Sequence, residues 1–281
     1  MNTTALLIGL GPLLGWGLYP TIASKIGGRP VNQILGSTIG TLIFALIYAW
    51  VQGIAFPSGM NLWFSILSGI GWASAQIVTF KVFTMVGSSR AMPITTAFQL
   101  LGASLWGVFA LGDWPGAMDK VLGGLALVGI IIGAWLTVWS EHKDAGNART
   151  LRQAVIWLAV GEIGYWAYSA APQAIGMVIV SIVYALFLAS RGEKLALVEG
   201  VSYTHIISGF FFAFAALTYL ISAQPNMNGL ATGFILSQTS VVLATLTGIW
   251  FLGQKKTTKE MWVTIGGLIL IIAAAAVTVT I

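Results

Sequence analysis

The sequence lacks cysteine altogether and contains very little charge. Of its 281 residues, 7% are Asp, Glu, Lys or Arg, and two are histidine. Without cysteine the chain forms no disulfide and no thiolate metal site. A soluble domain carries roughly 25% charged residues, because its surface must face water. We therefore expect no soluble domain, and we expect neither a metal nor another cofactor.

Apolar residues are abundant, at 57% of the chain, and the mean hydropathy is +0.90. One helix needs about 20 apolar residues to cross the hydrocarbon core of a bilayer, so about 200 residues suffice for ten spans. The sequence predicts an all-α membrane protein in contact with the lipid bilayer. Its ten transmembrane helices are expected near 4–24, 31–52, 61–86, 91–111, 119–140, 152–170, 173–190, 202–222, 227–252 and 260–281.

Basic residues are concentrated in the loops that follow the odd-numbered spans, whereas the even-numbered loops hold only Lys120. Cytoplasmic loops of membrane proteins collect Lys and Arg. The pattern predicts a multi-pass plasma-membrane protein whose odd-numbered loops are cytoplasmic and whose termini are both outside. The net charge of +5 reflects these loops, so nucleic-acid binding is not indicated. The odd-loop residues are Lys25, Arg29, Arg90, Lys143, Arg149, Arg152, Arg191, Lys194, Lys255, Lys256 and Lys259.

Short motifs recur in the two halves of the chain. Leu111-Gly112-Asp113 and Leu252-Gly253-Gln254 each precede a double glycine, Gly123-Gly124 and Gly266-Gly267. We predict a five-helix repeat over 1–140, a cytoplasmic linker over 141–151 and a second five-helix repeat over 152–281. Five is an odd number, so the second repeat is inverted, and inverted repeats place a substrate site near the membrane midplane. The alternative is a chance match between Gly- and Leu-rich helices.

Glu162 is the clearest candidate for a functional ionisable group. It follows Arg152 by ten residues, which places it about 15 Å into the membrane. An ionisable group at that depth is costly and marks a functional hypothesis, here proton coupling. Tyr165 and Trp166 share its helix face at i+3 and i+4 and are candidate substrate-binding residues. The alternative is a protonated, structural Glu bonded to a neighbouring helix.

Lys81 is a second charge inside a predicted span, but it lies only nine residues before Arg90. A lysine stem can extend its ammonium group to the membrane interface, and this is the favoured interpretation. The alternative is a gate residue or a partner of Glu162.

Polar and aromatic residues form two stripes at helical spacing. The first holds Trp72, Gln76, Thr79 and Phe83; the second holds Thr95, Gln99, Gly102 and Trp106. Such mixed stripes should face a cavity instead of lipid. Amides can bond sugar hydroxyls and indoles can stack on a sugar ring; the alternative is hydrogen bonding between helices. The candidate substrate-binding residues outside Glu162's helix are Trp16, Asn32, Trp72, Gln76, Gln99 and Gln238.

The run from Gly87-Ser88-Ser89-Arg90 through Phe98-Gln99-Leu100 to Gly112-Asp113-Trp114, with Leu14-Gly15-Trp16-Gly17, resembles the glucose/ribose porter family of the drug/metabolite transporter superfamily. The resemblance covers nearly the whole chain. It implies a bacterial protein with ten helices in two inverted repeats, which takes up a monosaccharide together with protons. The second-half motif, Gly253-Gln254-Lys255, lacks the acidic residue, so we assign that motif no coupling role.

These features predict a proton-coupled monosaccharide symporter that works by alternating access. Two alternatives stay open: an exporter or exchanger of another small polar metabolite on the same fold, and an uncoupled sugar facilitator. An enzyme is not indicated, because no predicted span holds paired carboxylates, a His cluster or an activated nucleophile. The oligomeric state is not predicted.

Overall fold

The computed structural model describes residues 3–106, 108–109, 114–141, 145–161 and 172–280, and the regular structure in these ranges is helical. A short 3₁₀ helix covers Ala196–Val198. The α-helices are α1 (Thr3–Gly9), α2 (Gly11–Ile26), α3 (Pro30–Val51), α4 (Met60–Val86), α5 (Ser88–Trp106), α6 (Ala117–Val138), α7 (Ala145–Gly161), α8 (Gln173–Ser190), α9 (Gly200–Thr204), α10 (Ile206–Ser222), α11 (Gly229–Gln238), α12 (Ser240–Phe251) and α13 (Thr258–Thr280).

Several of these helices are long and apolar enough to cross a membrane. Within the described ranges there are seven such spans, counting α1 with α2 and α9 with α10 as single segments. Large apolar side chains are exposed on their outer faces; Trp50 is 83% exposed and Trp135 is 61% exposed. Such side chains suit lipid and would be costly in water. The molecule is thus an all-α membrane protein, and the predicted total of ten spans stays a prediction.

Among the described residues, three predicted spans are interrupted. The first is divided between α1 and α2 at Leu10, two residues before Pro12, whose nitrogen cannot donate to the preceding turn. The eighth is divided between α9 and α10 at His205, and the ninth between α11 and α12 at Thr239. The Thr239 hydroxyl donates to the carbonyl of Leu236 at 2.5 Å. Side-chain bonds of this kind to the preceding turn bend helices.

Glycine allows the closest helix contacts, and α6 against α13 is one example. A Cβ atom on Gly133 would lie 2.7 Å from the carbonyl oxygen of Gly267, and one on Gly267 would lie 2.5 Å from that of Gly133. Small residues let backbones approach in a membrane, where dispersion contacts drive helix association. The two helices therefore pack backbone against backbone.

Loops rich in basic residues meet at one end of the helix bundle, which we call the basic end. Arg29, before α3, bonds Glu193 and Glu199 in the connection between α8 and α9. Gln254, after α12, bonds the first residues of α5. Lys259 pairs with Glu141 at 3.3 Å. The Thr21 and Thr247 hydroxyls bond each other near the ends of α2 and α12, so the first and ninth loops also lie at the same end. The first, third, fifth, seventh and ninth predicted loops therefore share an end; that this end is cytoplasmic stays a prediction.

Candidate functional site

A central cavity of about 340 Å³ lies between α2, α4, α5, α10 and the junction of α11 with α12. This volume is at the lower end of the range of about 300–1,000 Å³ that is usual for small-molecule pockets. Its lining is mixed, with aromatic rings, hydroxyls and amides. The lining residues are Trp16, Tyr19, Trp72, Gln76, Thr79, Phe83, Met92, Thr95, Thr96, Gln99, Gly102, Ala103, Trp106, Phe212, Tyr219, Ser237, Gln238 and Ser240.

Packed aromatic rings form one wall of the cavity. Phe212 of α10 lies at the centre of this wall, with its ring centroid 4.4 Å from that of Trp72 and 5.7 Å from that of Tyr19. The Trp16 ring lies 6.2 Å from Phe212 and 5.9 Å from Tyr219. Tilted pairs at these separations are favourable beyond the area they bury. The rings therefore support each other and present a rigid apolar surface.

The two stripes predicted to face a cavity both do so. Every residue of the first stripe, on α4, and of the second, on α5, is part of the lining. Positions three and four apart share a helix face, so each stripe stays directed to one side over about three turns. Within α4 the Thr79 hydroxyl donates to the Ala75 carbonyl at 3.2 Å. Gln99 makes no hydrogen bond to another described residue, so its amide is available to a solute.

Gln238 reaches the cavity because it lies at the break between α11 and α12. Its amide nitrogen contacts the neighbouring Ser237 hydroxyl at 3.3 Å, and both side chains line the cavity. Among the described lining residues there is no Asp, Glu, Lys, Arg or His. The described part of the cavity therefore suits a neutral, hydroxyl-rich solute better than an ion.

The cavity is closed towards the basic end. The Gln254 amide oxygen accepts the Ser89 backbone N–H at 2.9 Å, and its nitrogen contacts the Ser88 hydroxyl at 3.4 Å. Deeper in, the Thr21 and Thr247 hydroxyls bond each other at 2.6 Å between α2 and α12. At the opposite end the lining includes Trp106, which is 61% exposed. The cavity wall thus extends to the molecular surface only at the Trp106 end of the described structure.

Asn32 was predicted to bind substrate, but the structure does not bring it to the cavity. Its oxygen accepts the Arg29 backbone N–H at 2.9 Å, before the first turn of α3. Its nitrogen donates to Glu199 at 2.8 Å and to Ser202 at 2.9 Å. The bond from Asn32 and the bond from the Arg29 side chain lower the pKa of Glu199, because they stabilise its carboxylate. Asn32 therefore organises the basic end, at the start of a helix that Pro30 begins.

Lys81 also lies outside the cavity lining. Its side chain is exposed on the outer face of α4, and its ammonium group lies 4.6 Å from the centroid of the Trp157 ring on α7. A cation over an indole face is stabilised electrostatically. This position fits the interpretation of a lysine directed to the interface, and it does not place Lys81 in the path of a solute. Glu162, Tyr165 and Trp166 lie outside the described residues.

The sequence prediction missed several lining residues. Tyr19 could have been found, because it lies one turn after Trp16 on the same helix face. Phe212 and Tyr219 lie two turns apart, but the neighbouring Phe210, Phe211 and Phe214 hide which face of α10 is inward. Ser237 and Ser240 flank the break after α11, and helical periodicity does not continue across it.

The fold and the cavity define a polytopic membrane protein with a central solute-binding chamber. The class is that of membrane proteins that hold a solute within a helix bundle.

Comparison with known proteins gives the family. A family model described as "Sugar transport protein" matches residues 7–281, and the chain belongs to this family, the bacterial sugar porters. Three similar relatives carry the name "Putative ribose uptake protein RbsU". The one from Lactiplantibacillus plantarum is 96% identical over 294 residues and the one from Enterococcus faecalis 70% over 295 residues, both with all of each chain covered. The one from Staphylococcus aureus is 64% identical over 292 residues, with 99% of each chain covered.

The fold has a counterpart among solved structures. A protein of known crystal structure superposes with a TM-score of 0.62 at 15% sequence identity, and the match covers 99% of both chains. This likeness concerns the course of the helices alone. The family match and the relatives together make the protein a sugar uptake transporter.

Proposed function

We propose that this transporter takes up ribose, or a monosaccharide of similar size, by alternating access and with protons as the coupling ion. The observation that carries the proposal is the central cavity, where an aromatic wall faces hydroxyls and amides without a charged group in the described lining. Sugars present apolar C–H faces and hydroxyl edges, so a ring surface opposed by hydrogen-bonding groups complements them.

The candidate binding groups divide by chemistry. Trp16 and Trp72 supply stacking surfaces, while Gln76, Gln99 and Gln238 supply amides that both donate and accept hydrogen bonds. The names of the relatives favour ribose over a hexose, since each is described as a ribose uptake protein. Tyr165 and Trp166 remain candidates from their spacing to Glu162.

Proton coupling rests on the sequence position of Glu162. A carboxyl group within a span is disfavoured in its charged form, so it can take up a proton on one side of the membrane and release it on the other. The two inverted five-helix repeats, over 1–140 and 152–281, supply the parts that would move against each other. The direction of transport is inward, with the basic end in the cytoplasm.

The test is uptake of radiolabelled ribose and glucose into proteoliposomes, with and without an imposed inward proton gradient. We expect ribose to accumulate above its external concentration only when the gradient is present, and a protonophore to abolish the accumulation. Uptake that reaches only equilibrium under every gradient would identify an uncoupled facilitator. Failure to take up any monosaccharide, by protein that remains folded, would contradict the proposed substrate class.

Glu162→Gln separates coupling from binding. The amide keeps the shape of the side chain but cannot exchange a proton, so we expect gradient-driven accumulation to disappear while exchange of ribose across the membrane continues. Glu193→Gln is the matched control, because Glu193 lies in a loop at the basic end and outside the cavity lining. Full accumulation by Glu162→Gln would exclude the coupling role.

A further inference from the structure

Three buried polar atoms in the cavity lining have no hydrogen-bond partner among the described residues. They are the hydroxyl oxygen of Thr95 on α5, the indole nitrogen of Trp16 on α2 and the hydroxyl oxygen of Tyr19 on α2, which has the Ser37 side chain as its neighbour. Leaving a buried donor or acceptor unsatisfied costs about 1–3 kcal/mol. Native proteins rarely leave such groups unpaired without a functional reason or a bound partner. The Thr95 and Trp16 atoms therefore indicate a ligand that is hydrogen-bonded at this place.

Thr95 differs from most of the described helical threonines; Thr245 on α12 also has no partner, but it lies outside the cavity lining. The Thr79 hydroxyl donates to Ala75 O at 3.2 Å and the Thr264 hydroxyl to Glu260 O at 2.8 Å, each four residues back. This bond to the preceding turn is the ordinary way in which a helical threonine satisfies its hydroxyl. Thr95 is 4% exposed and makes no such bond. Its hydroxyl is therefore left for something that enters the cavity.

The chemistry of the two groups restricts the ligand. An indole N–H only donates, whereas a threonine hydroxyl both donates and accepts. A sugar hydroxyl can accept from the indole and can exchange donor and acceptor roles with the threonine. A site with buried groups of this kind rejects an analogue that lacks the matching hydroxyl, because the protein group is then left unpaired.

We propose that Thr95 and Trp16 are specificity-determining residues, which bind hydroxyl groups of the transported sugar and distinguish a fully hydroxylated pentose from its deoxy analogues. This inference rests on the proposed function and deepens it. The adjacent aromatic wall contributes affinity for any sugar of suitable size, since ring stacking does not depend on a particular hydroxyl. The two hydrogen-bonding groups supply the discrimination.

The test is competition against uptake of radiolabelled ribose by unlabelled ribose and by each of its monodeoxy analogues, in proteoliposomes. In the wild type we expect at least one analogue to compete about tenfold less well than ribose, the factor expected for one unpaired buried group. Thr95→Val keeps the side chain's size and removes its hydroxyl. We expect this variant to bind ribose about tenfold more weakly and to bind one monodeoxy analogue as well as it binds ribose.

Further variants exclude a merely structural effect. Thr95→Ser retains the hydroxyl and should keep the wild-type ranking of the analogues. Trp16→Phe keeps an aromatic ring but removes the indole N–H. This variant should no longer distinguish ribose from the monodeoxy analogue that lacks the hydroxyl bound by the N–H. Thr264→Val is the matched control, because Thr264 is fully buried but its hydroxyl is satisfied by Glu260 O and it lies outside the cavity lining. This control should leave the ranking unchanged.

The outcomes separate the two proposals. If the wild type takes up ribose and Thr95→Val ranks the analogues as the wild type does, the specificity role of Thr95 is wrong and the proposed function stands. If the folded wild type takes up no monosaccharide, the proposed function fails and this inference fails with it. Equal loss of discrimination in Thr264→Val would also overturn the inference, because the effect would then not come from the cavity.

Discussion

Asn32 and Gln99 carry the same functional group in opposite surroundings. The Asn32 amide is buried, at 1% exposure, and bonds Arg29, Glu199 and Ser202. The Gln99 amide lines the cavity and has no such partners among the described residues. An amide whose hydrogen bonds are made within the protein stabilises the folded state, whereas an amide without such bonds contributes to the binding of a ligand. The two residues should therefore respond differently to the same truncation.

We predict that Asn32→Ala lowers the free energy of unfolding by about 1–2 kcal/mol, the usual cost of removing a helix-capping side chain. Its affinity for ribose should stay within twofold of the wild type. Gln99→Ala should weaken ribose binding by about fivefold to tenfold and leave the melting temperature unchanged. Thermal unfolding in detergent and equilibrium binding of radiolabelled ribose measure the two quantities. If the Asn32→Ala protein is stable but binds ribose more weakly, Asn32 contacts the sugar and its placement outside the cavity is wrong.

Sequence reasoning located the cavity stripes but misplaced Asn32, and the difference is physical. A stripe such as Trp72 to Phe83 repeats over three turns, so its phase on the helix is determined by several residues at once. Asn32 is a single polar residue two positions after Pro30. An amide at this position can bond the helix start or line a cavity equally well, and its bonds to the distant Glu199 and Ser202 decide between the two.

At the scale of single helices, the double glycines show how much a short motif can determine. In Gly123-Gly124 the first glycine is buried, and a Cβ there would meet the Trp114 ring, while Gly124 has open space around it. In Gly266-Gly267 the second glycine is the packed one, against Gly133. The sequence identifies the motif, but which glycine packs depends on the rotation of each helix, and the neighbouring chain sets that rotation.

The pair Gly266 and Gly267 offers a test with a built-in control. A Cβ on Gly267 would lie 2.5 Å from the Gly133 carbonyl oxygen, so Gly267→Ala must push α13 away from α6. We expect it to destabilise the protein by about 1–3 kcal/mol. Gly266→Ala adds its methyl to open space and raises helix propensity, so stability should be unchanged or rise by up to about 1 kcal/mol. Equal melting temperatures for the two variants would show that α6 and α13 do not pack in this way.

For the molecule as a whole, the proposed alternating access requires that the closure at the basic end opens. The present closure combines the Gln254 bonds to the start of α5 with the packing of Gly248, where a Cβ would lie 3.0 Å from Ser88 and Ser89. The chain has no cysteine, so any introduced thiol is the single reactive site. Ser89 is 2% exposed in this closed arrangement, whereas Trp106 at the other end is 61% exposed.

We predict that Ser89→Cys reacts slowly with a membrane-impermeant maleimide applied to the basic end, and that ribose speeds the reaction severalfold. Ribose would do so because a transported solute shifts the population towards the state open at that end. Trp106→Cys, labelled from its own side, should react quickly without sugar and more slowly with it, since the two ends open alternately. Lys255→Cys is the control, because Lys255 is exposed at the basic end and should react at one rate in all conditions. Labelling at Ser89→Cys and Trp106→Cys that rises together with ribose would indicate a channel open at both ends and would contradict alternating access.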